Sequence, residues 1–440
     1  MNERDFSTRD TITIGLMMFA LFLGAGNLIF PPALGQAAGT SVWIATIGFL
    51  VTGVGLPILA IIAIAKSGGD LQKISQKVGP TFAIFFPLAV YLAIGPLFGI
   101  PRTGSVAFEI GLFPYIGERS LTLFLFLFTL IFFGLSFWLS LNPSKLVGRI
   151  GKIITPIIVA ILGLLTIMGI SQPMGGPNAP IEGYEQFAFF QGFQEGYFTM
   201  DAIGALVFGI VIITRMKERG LTTHAATVKR ATQVGIIAGT GLMLVYLSLA
   251  FLGATSVSIV GYQNNGGVIL TGISEHLLGF LGLILLSIVI TMACLTTSVG
   301  LISAFGEYVQ KTIPKIPYPL SIGVVTLFSF LMSNLGLTQL LQFSLPMLIM
   351  LYPVAIVLVI MTIFKDLFHE NSLVFKGAVL GAALISIPDG LSQTALLGNY
   401  IEPLITPLPL AGMGVAWIIP AIIGGVIGGF ISNRWRMAEN

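Results

Sequence analysis

Leu23 to Pro32 reads LGAGNLIFPP, and it sits inside a run from Thr11 to Ala65 that contains no Asp, Glu, Lys or Arg. A spanning helix needs roughly 20 apolar residues, so a run of this length predicts more than one crossing of a bilayer. Glycine costs a helix interior about 1 kcal/mol and proline about 3, which makes Gly24, Gly26, Pro31 and Pro32 a poor helix within an apolar span. A break there releases backbone carbonyls and N–H groups that lipid cannot satisfy. Two readings are open at this point: a glycine-rich packing face with a proline kink, or an unwound segment at mid-depth whose freed groups bind a cation and a zwitterion.

The same signature extends along the chain. Of 440 residues, 55% are hydrophobic and only 9% charged, with a mean hydropathy of +0.97, whereas an ordinary soluble domain is roughly a quarter charged. Uncharged runs recur from Ala231 to Ser274 and from Ile316 to Phe364. Twelve spans are predicted, near 12–35, 41–65, 80–113, 120–141, 145–170, 194–214, 231–254, 277–310, 317–335, 338–364, 375–391 and 412–432. The first is followed by another span, so it is expected to be retained and not cleaved as a signal peptide. The main non-spanning segments are expected at Ser171 to Phe190 and Val257 to His276.

Short loops rich in Lys and Arg stay in the cytoplasm. With an inside N-terminus, all basic residues except Arg102 and Arg119 fall on the cytoplasmic side, among them Arg4, Lys66, Arg219, Arg230, Lys311, Arg434 and Arg436. An odd number of spans would put the last two outside, so both termini are predicted to be cytoplasmic.

A second interruption decides between the two readings of the first. Thr199-Met200-Asp201-Ala202-Ile203-Gly204 places a carboxylate inside the sixth span, and ionisable groups at membrane depth are costly and usually functional; the bland alternative is a cap on a half-helix near the outer end. Spans 1 and 6 are five apart, an odd number, so two consecutive five-span units have opposite orientation. Interrupted helices at matching positions of inverted repeats point to a transporter's central site. The predicted architecture is an all-α polytopic membrane protein with inverted repeats at 12–170 and 194–364 and two peripheral helices at 375–432. The whole chain forms one membrane body.

Other chemistries are poorly supported. His224, His276 and His369 lack ligand spacing, which argues against a transition-metal site. Cys294, the single cysteine, reads as a small packing residue. No Ser/His/Asp, Cys/His or paired-carboxylate set falls at membrane depth, so an enzyme is not expected, and the charge pattern implies a lipid bilayer as partner and no nucleic acid. Nothing in the sequence specifies an oligomeric state. Arg102 and Glu109 are seven apart and should share one face of the third span, in a vestibule role of gating or carboxylate steering, or with Arg102 snorkelling outward.

LGAGNLIFPP, the run GYFTMDAIGALVFG from Gly196 to Gly209, CLTTSVGLISAFG from Cys294 to Gly306 and GIPRTGSVAFE from Gly99 to Glu109 together resemble the branched-chain amino acid carriers of the BrnQ type, the LIVCS family, along nearly the whole chain. That family is similar to the LeuT-fold superfamily. The resemblance implies a bacterial cytoplasmic-membrane symporter that imports leucine, isoleucine and valine with sodium, on a LeuT-like 5+5 inverted repeat with helices 1 and 6 broken. It implies a substrate site at Gly24, Ala25, Gly26, Asn27, Thr199 and Asp201. It also implies a sodium site from the carbonyls of Ala20, Leu23 and Ala293 with the hydroxyls of Thr296 and Thr297, although such hydroxyls also bond back to their own helical turn. A second cation or coupling site would involve Phe22, Asn27, Thr199 and Asp201. The chain departs from the LeuT-like pattern at Asp201, where relatives carry an uncharged residue, and at Phe30, where they carry a gating Arg. Proton coupling through Asp201, another neutral amino acid as substrate, and a channel or receptor without alternating access are the competing expectations.

Overall fold

The computed structural model describes residues 6–116, 120–221, 223–368, 371–394 and 396–439; Arg4, Arg119 and His369 lie outside them. Each expected span is helical. Span 1 is α1 (Thr8–Phe22) and α2 (Ala25–Ala38), and span 2 is α3 (Val42–Leu50) and α4 (Leu56–Lys66), joined by a π-helical turn at Val51–Gly55. The short α5 (Leu71–Gln76) leads to span 3, in which α6 (Phe82–Leu92) and α7 (Gly99–Gly111) flank a second π-turn, Ala93–Leu97. After α8 (Phe113–Ile116) come α9 (Leu121–Ser140) and α10 (Pro143–Ser171), spans 4 and 5.

The second half opens with span 6, made of α11 (Tyr184–Phe198) and α12 (Asp201–Glu218), followed by α13 (His224–Thr255) and the short α14 (Val257–Val260). Span 8 belongs to α15 (Gly266–Thr312), which is kinked at Gly279. Spans 9 to 12 are α16 (Tyr318–Ser333), α17 (Leu337–Ile363), α18 (Ser372–Ser392) and, after α19 (Gly398–Ile405), α20 (Ile418–Glu439).

Two boundaries differ from the sequence reading by ten residues or more. Tyr184 to Phe190 belongs to α11 and not to a loop; Gly183 turns the chain at φ +86°, a conformation glycine adopts without penalty. The helix leading into span 8 likewise starts early, because the Asn265 side chain accepts the Gly267 N–H at 2.8 Å and caps it.

The first break is also narrower than expected. Only Leu23 and Gly24 leave the helix, and α2 continues through Pro31 and Pro32. Each proline withdraws the N–H that would reach the carbonyl four residues back, so the carbonyls of Asn27 and Leu28 lose a partner while the helix persists. The second break is a single turn at Thr199 and Met200, where Met200 takes a left-handed conformation at φ +67° that residues with side chains seldom adopt.

What holds the broken helices in place is backbone-close packing. A Cβ at Gly35 of α2 would overlap the Ala250 carbonyl of α13, and one at Gly253 would overlap the Pro32 carbonyl. On α11, Gly192 and Gly196 are four apart and face α3 and the π-turn after it, where their missing side chains make room for the Ala45 carbonyl and the Thr52 hydroxyl. Small residues at this spacing let membrane helices approach closely. Gly192→Leu is therefore expected to force the helices apart at a cost of about 1–3 kcal/mol. Its thermal midpoint in detergent, followed by size-exclusion chromatography, should fall clearly, whereas Gly134→Leu, at a position with open space, should not change it.

Packing depth sorts the spans. In the most apolar window of Tyr184–Glu218, 89% is buried, against 28% for Leu121–Ser140, so α11 and α12 form the centre and α9 faces lipid. At one end of the bundle, Asp10 pairs with Arg219 at 2.7 Å, Lys311 with Asp70, and Arg230 lies over the Phe6 ring. These contacts tie the N-terminal segment to the 6–7 connection and to the start of α13, and the 2–3 connection to the end of α15.

Candidate functional site

The two breaks meet around one small cavity of about 30 Å³. Gly24, Ala25, Gly26, Asn27, Thr199 and Asp201 all line it, so the six residues singled out from the sequence as a substrate site are brought together.

Asp201 opens α12 and is buried. Its Oδ2 accepts hydrogen bonds from Asn27 Nδ2 at 2.6 Å and from the Tyr246 hydroxyl of α13 at 2.5 Å, while its backbone N–H donates to Thr199 Oγ1 at 3.3 Å. One carboxylate oxygen thus joins spans 1, 6 and 7. Asn27 completes the link to the first break, since its Oδ1 accepts the Gly24 N–H at 3.1 Å. Tyr246 was not among the residues selected from sequence. The available signal was a phenol in the uncharged run from Ala231 to Ser274.

Arg102 is placed differently from the vestibule expectation. It is 4% exposed and lines the same cavity. Its guanidinium donates to the carbonyls of Phe198 at 2.8 Å and Thr199 at 3.3 Å, at the C-terminal end of α11. The guanidinium also lies over the Phe30 ring, 5.6 Å from its centroid, and Phe30 meets Phe198 with ring centroids 5.7 Å apart. A cation therefore reaches the Phe30 position from α7, not from span 1. Glu109 lies two turns further along α7, accepts a hydrogen bond from Asn265 and lines a separate cavity of about 250 Å³ with Ser105 and Gln339.

A second cluster abuts the first on the other side of the helix 1 break. Thr296 Oγ1 donates to the carbonyl of Ala293 at 2.8 Å and across to that of Ala20 at 3.3 Å. Thr297 Oγ1 donates to the Leu21 carbonyl at 3.1 Å. The N–H of Leu23 bonds back to the Phe19 carbonyl. A Cβ at Gly24 would meet Thr297 Oγ1 at 2.8 Å, which shows how tightly the two helices are apposed. All these groups are uncharged oxygens, the donor type a hard cation prefers, so the set fits sodium. At the other proposed cation position, Phe22 packs on Phe208, Asn27 Oδ1 is taken by Gly24, and the Thr199 carbonyl is taken by Arg102. Among the described residues there is no grouping of His, Cys, Asp and Glu suited to a metal ion.

The comparisons agree with this architecture. The chain is similar to a nucleobase-cation-symport-1 family transporter, Mhp1, solved closed with bromovinylhydantoin bound, at TM-score 0.62 and 13% identity over 97% of this chain and 92% of that one. It is also similar to MhsT in complex with L-phenylalanine, at TM-score 0.51 and 14% identity over 94% and 98%. Both are LeuT-fold transporters, and at these identities they establish the fold alone. Sequence relatives include the branched-chain amino acid permease BraB of Bacillus subtilis, 47% identical over 97% of this chain and 96% of the relative. They also include the branched-chain amino acid permease BrnQ of Escherichia coli K12, 39% identical over 94% of each. The family model for branched-chain amino acid transport proteins matches residues 7–435. The chain therefore belongs to the branched-chain amino acid transport protein family and is a membrane transporter, not an enzyme.

Proposed function

We propose that the protein imports leucine, isoleucine and valine across a bacterial cytoplasmic membrane together with sodium, by alternating access. The observation that carries this reading is the meeting of two broken helices around one cavity, with an oxygen cluster of cation-binding type against its wall. The relatives' names supply the substrate class, and the chemistry of the lining fits it. Phe22, Ile94, Phe208 and Leu301 offer an apolar surface for an aliphatic side chain, and Asp201 offers an anion for an ammonium group.

Asp201 acts in this reading as a fixed anion. Both of its strong partners are donors directed at the same oxygen, the pattern an ionised carboxylate satisfies as a pure acceptor. Sodium would be held by the carbonyls of Ala20, Leu21 and Ala293 and the hydroxyls of Thr296 and Thr297, supplying a positive charge beside the helix 1 break. Since Ala20, Leu21, Asn27 and Gly24 belong to one interrupted span, ordering the break for one ligand orders it for the other. Alternating access would rock the repeats at 12–170 and 194–364 against one another around this site, with 375–432 remaining peripheral. Both termini face the cytoplasm, on the side of the Asp10–Arg219 and Lys311–Asp70 pairs.

Competition for radiolabelled leucine uptake tests the substrate class. Unlabelled isoleucine and valine are expected to suppress uptake at concentrations similar to leucine, and alanine or lysine only at far higher ones. Equal suppression by alanine would refute the branched-chain assignment.

A further inference from the structure

We infer that Arg102 is the fixed cation of the substrate site and receives the carboxylate of the bound amino acid, so that carboxylate recognition requires no second metal ion. This rests on the reading of the cavity as an amino-acid site and extends it to a residue that neither break contributes. A guanidinium carries five N–H donors; those of Arg102 that find protein partners go to the carbonyls of Phe198 and Thr199. Neither is an anion. A buried charge left without a counter-ion in contact is costly, and bidentate pairing with a carboxylate is the geometry a guanidinium favours.

The surroundings supply the other half of the site. Gly26 belongs to the first turn of α2, and a Cβ there would meet the Arg102 guanidinium at 2.6 Å. The guanidinium therefore lies directly against a helix N-terminus, where first-turn N–H groups lack intrahelical partners and the helix dipole is positive. A carboxylate seated beside this contact gains Arg102 on one side and α2 amides on the other. Its ammonium, on the adjacent carbon, then falls toward Asp201, which lines the same cavity. Meanwhile the carbonyls of Phe198 and Thr199, the negative end of α11, are already neutralised by the same guanidinium. A free cation at that end would compete with Arg102 for the Thr199 carbonyl.

The test pairs a side-chain change with a ligand change. Binding of leucine and of leucinol, which keeps the ammonium and side chain but lacks the carboxylate, is measured on purified wild type and on Arg102→Gln by displacement of radiolabelled leucine or isothermal titration. Wild type is expected to bind leucinol about a hundredfold more weakly than leucine; Arg102→Gln should lose about a hundredfold for leucine and less than about threefold for leucinol, the loss typical of one partner removed from a buried charge pair. Arg102→Lys, which keeps the charge without the fork, should fall between the two. Should Arg102→Gln be too unstable to purify, Arg102→Ala with added guanidinium chloride replaces it, and guanidinium is expected to restore leucine affinity but leave leucinol affinity unchanged. Equal losses for both ligands in Arg102→Gln, or unchanged leucine affinity, would overturn the assignment. If wild type binds neither ligand, the amino-acid reading itself fails; if it binds both equally, only the role of Arg102 fails.

Discussion

Asp201→Asn is expected to abolish leucine accumulation while leaving a folded protein. The amide keeps one acceptor oxygen for Asn27 and Tyr246, so the hydrogen bonds that join spans 1, 6 and 7 can be preserved and only the charge is removed. For a fixed anion that faces the substrate ammonium, removing that charge costs about 2–5 kcal/mol of binding, from some thirtyfold to several thousandfold in affinity. Leucine binding by isothermal titration should therefore weaken strongly, and exchange of internal for external leucine should weaken with it. Tyr246→Phe removes one hydrogen bond to a charged group, about 1.5–3 kcal/mol, and is expected to have a smaller effect in the same direction. A proton carrier at this position gives a different result: binding and exchange survive in Asp201→Asn, and only proton-driven accumulation is lost. Full accumulation with unaltered sodium and pH dependence would reduce Asp201 to a cap on α12.

The second large effect belongs to Thr297→Val. Valine reproduces the shape of threonine and deletes the oxygen that reaches the Leu21 carbonyl. Loss of one oxygen facing a cation is expected to raise the sodium concentration for half-maximal uptake about tenfold or more. Leucine affinity at saturating sodium should change by less than about threefold. Uptake measured across a sodium series at fixed leucine, and across a leucine series at high sodium, separates the two. An unchanged sodium dependence would remove Thr297 from the sodium site.

Much of this arrangement was legible in the sequence because the membrane makes irregularity expensive. Gly24 within one uncharged run and Asp201 within another fell at the breaks, whereas Gly26, Pro31 and Pro32 stayed inside α2. The parts that were not legible depend on contacts between distant segments. Whether Arg102 snorkels outward or turns inward is decided by the π-turn at Ala93–Leu97 and by carbonyls nearly a hundred residues away. The hydrogen bond of Thr297 to the Leu21 carbonyl depends on how closely Gly24 lets span 1 approach span 8. Tyr246 carried a weak signal, the one tyrosine of an apolar helix, and only the packing of α13 on α2 brings it to Asp201. The early start of α11 was obscured by the mixed polar and aromatic run from Tyr184 to Phe190, which reads as a loop until α3 is seen alongside it.

Sodium-coupled accumulation is the central claim, and gradient-driven uptake by the purified protein in liposomes tests it most directly. Radiolabelled leucine is followed under an inward sodium gradient at equal pH, and separately under an inward proton gradient without sodium. Leucine is expected to rise inside the liposomes above its external concentration with the sodium gradient, to return to equilibrium when a sodium ionophore is added, and to show no accumulation with protons alone. Accumulation driven by the proton gradient without sodium, or mere equilibration under both gradients, would contradict it.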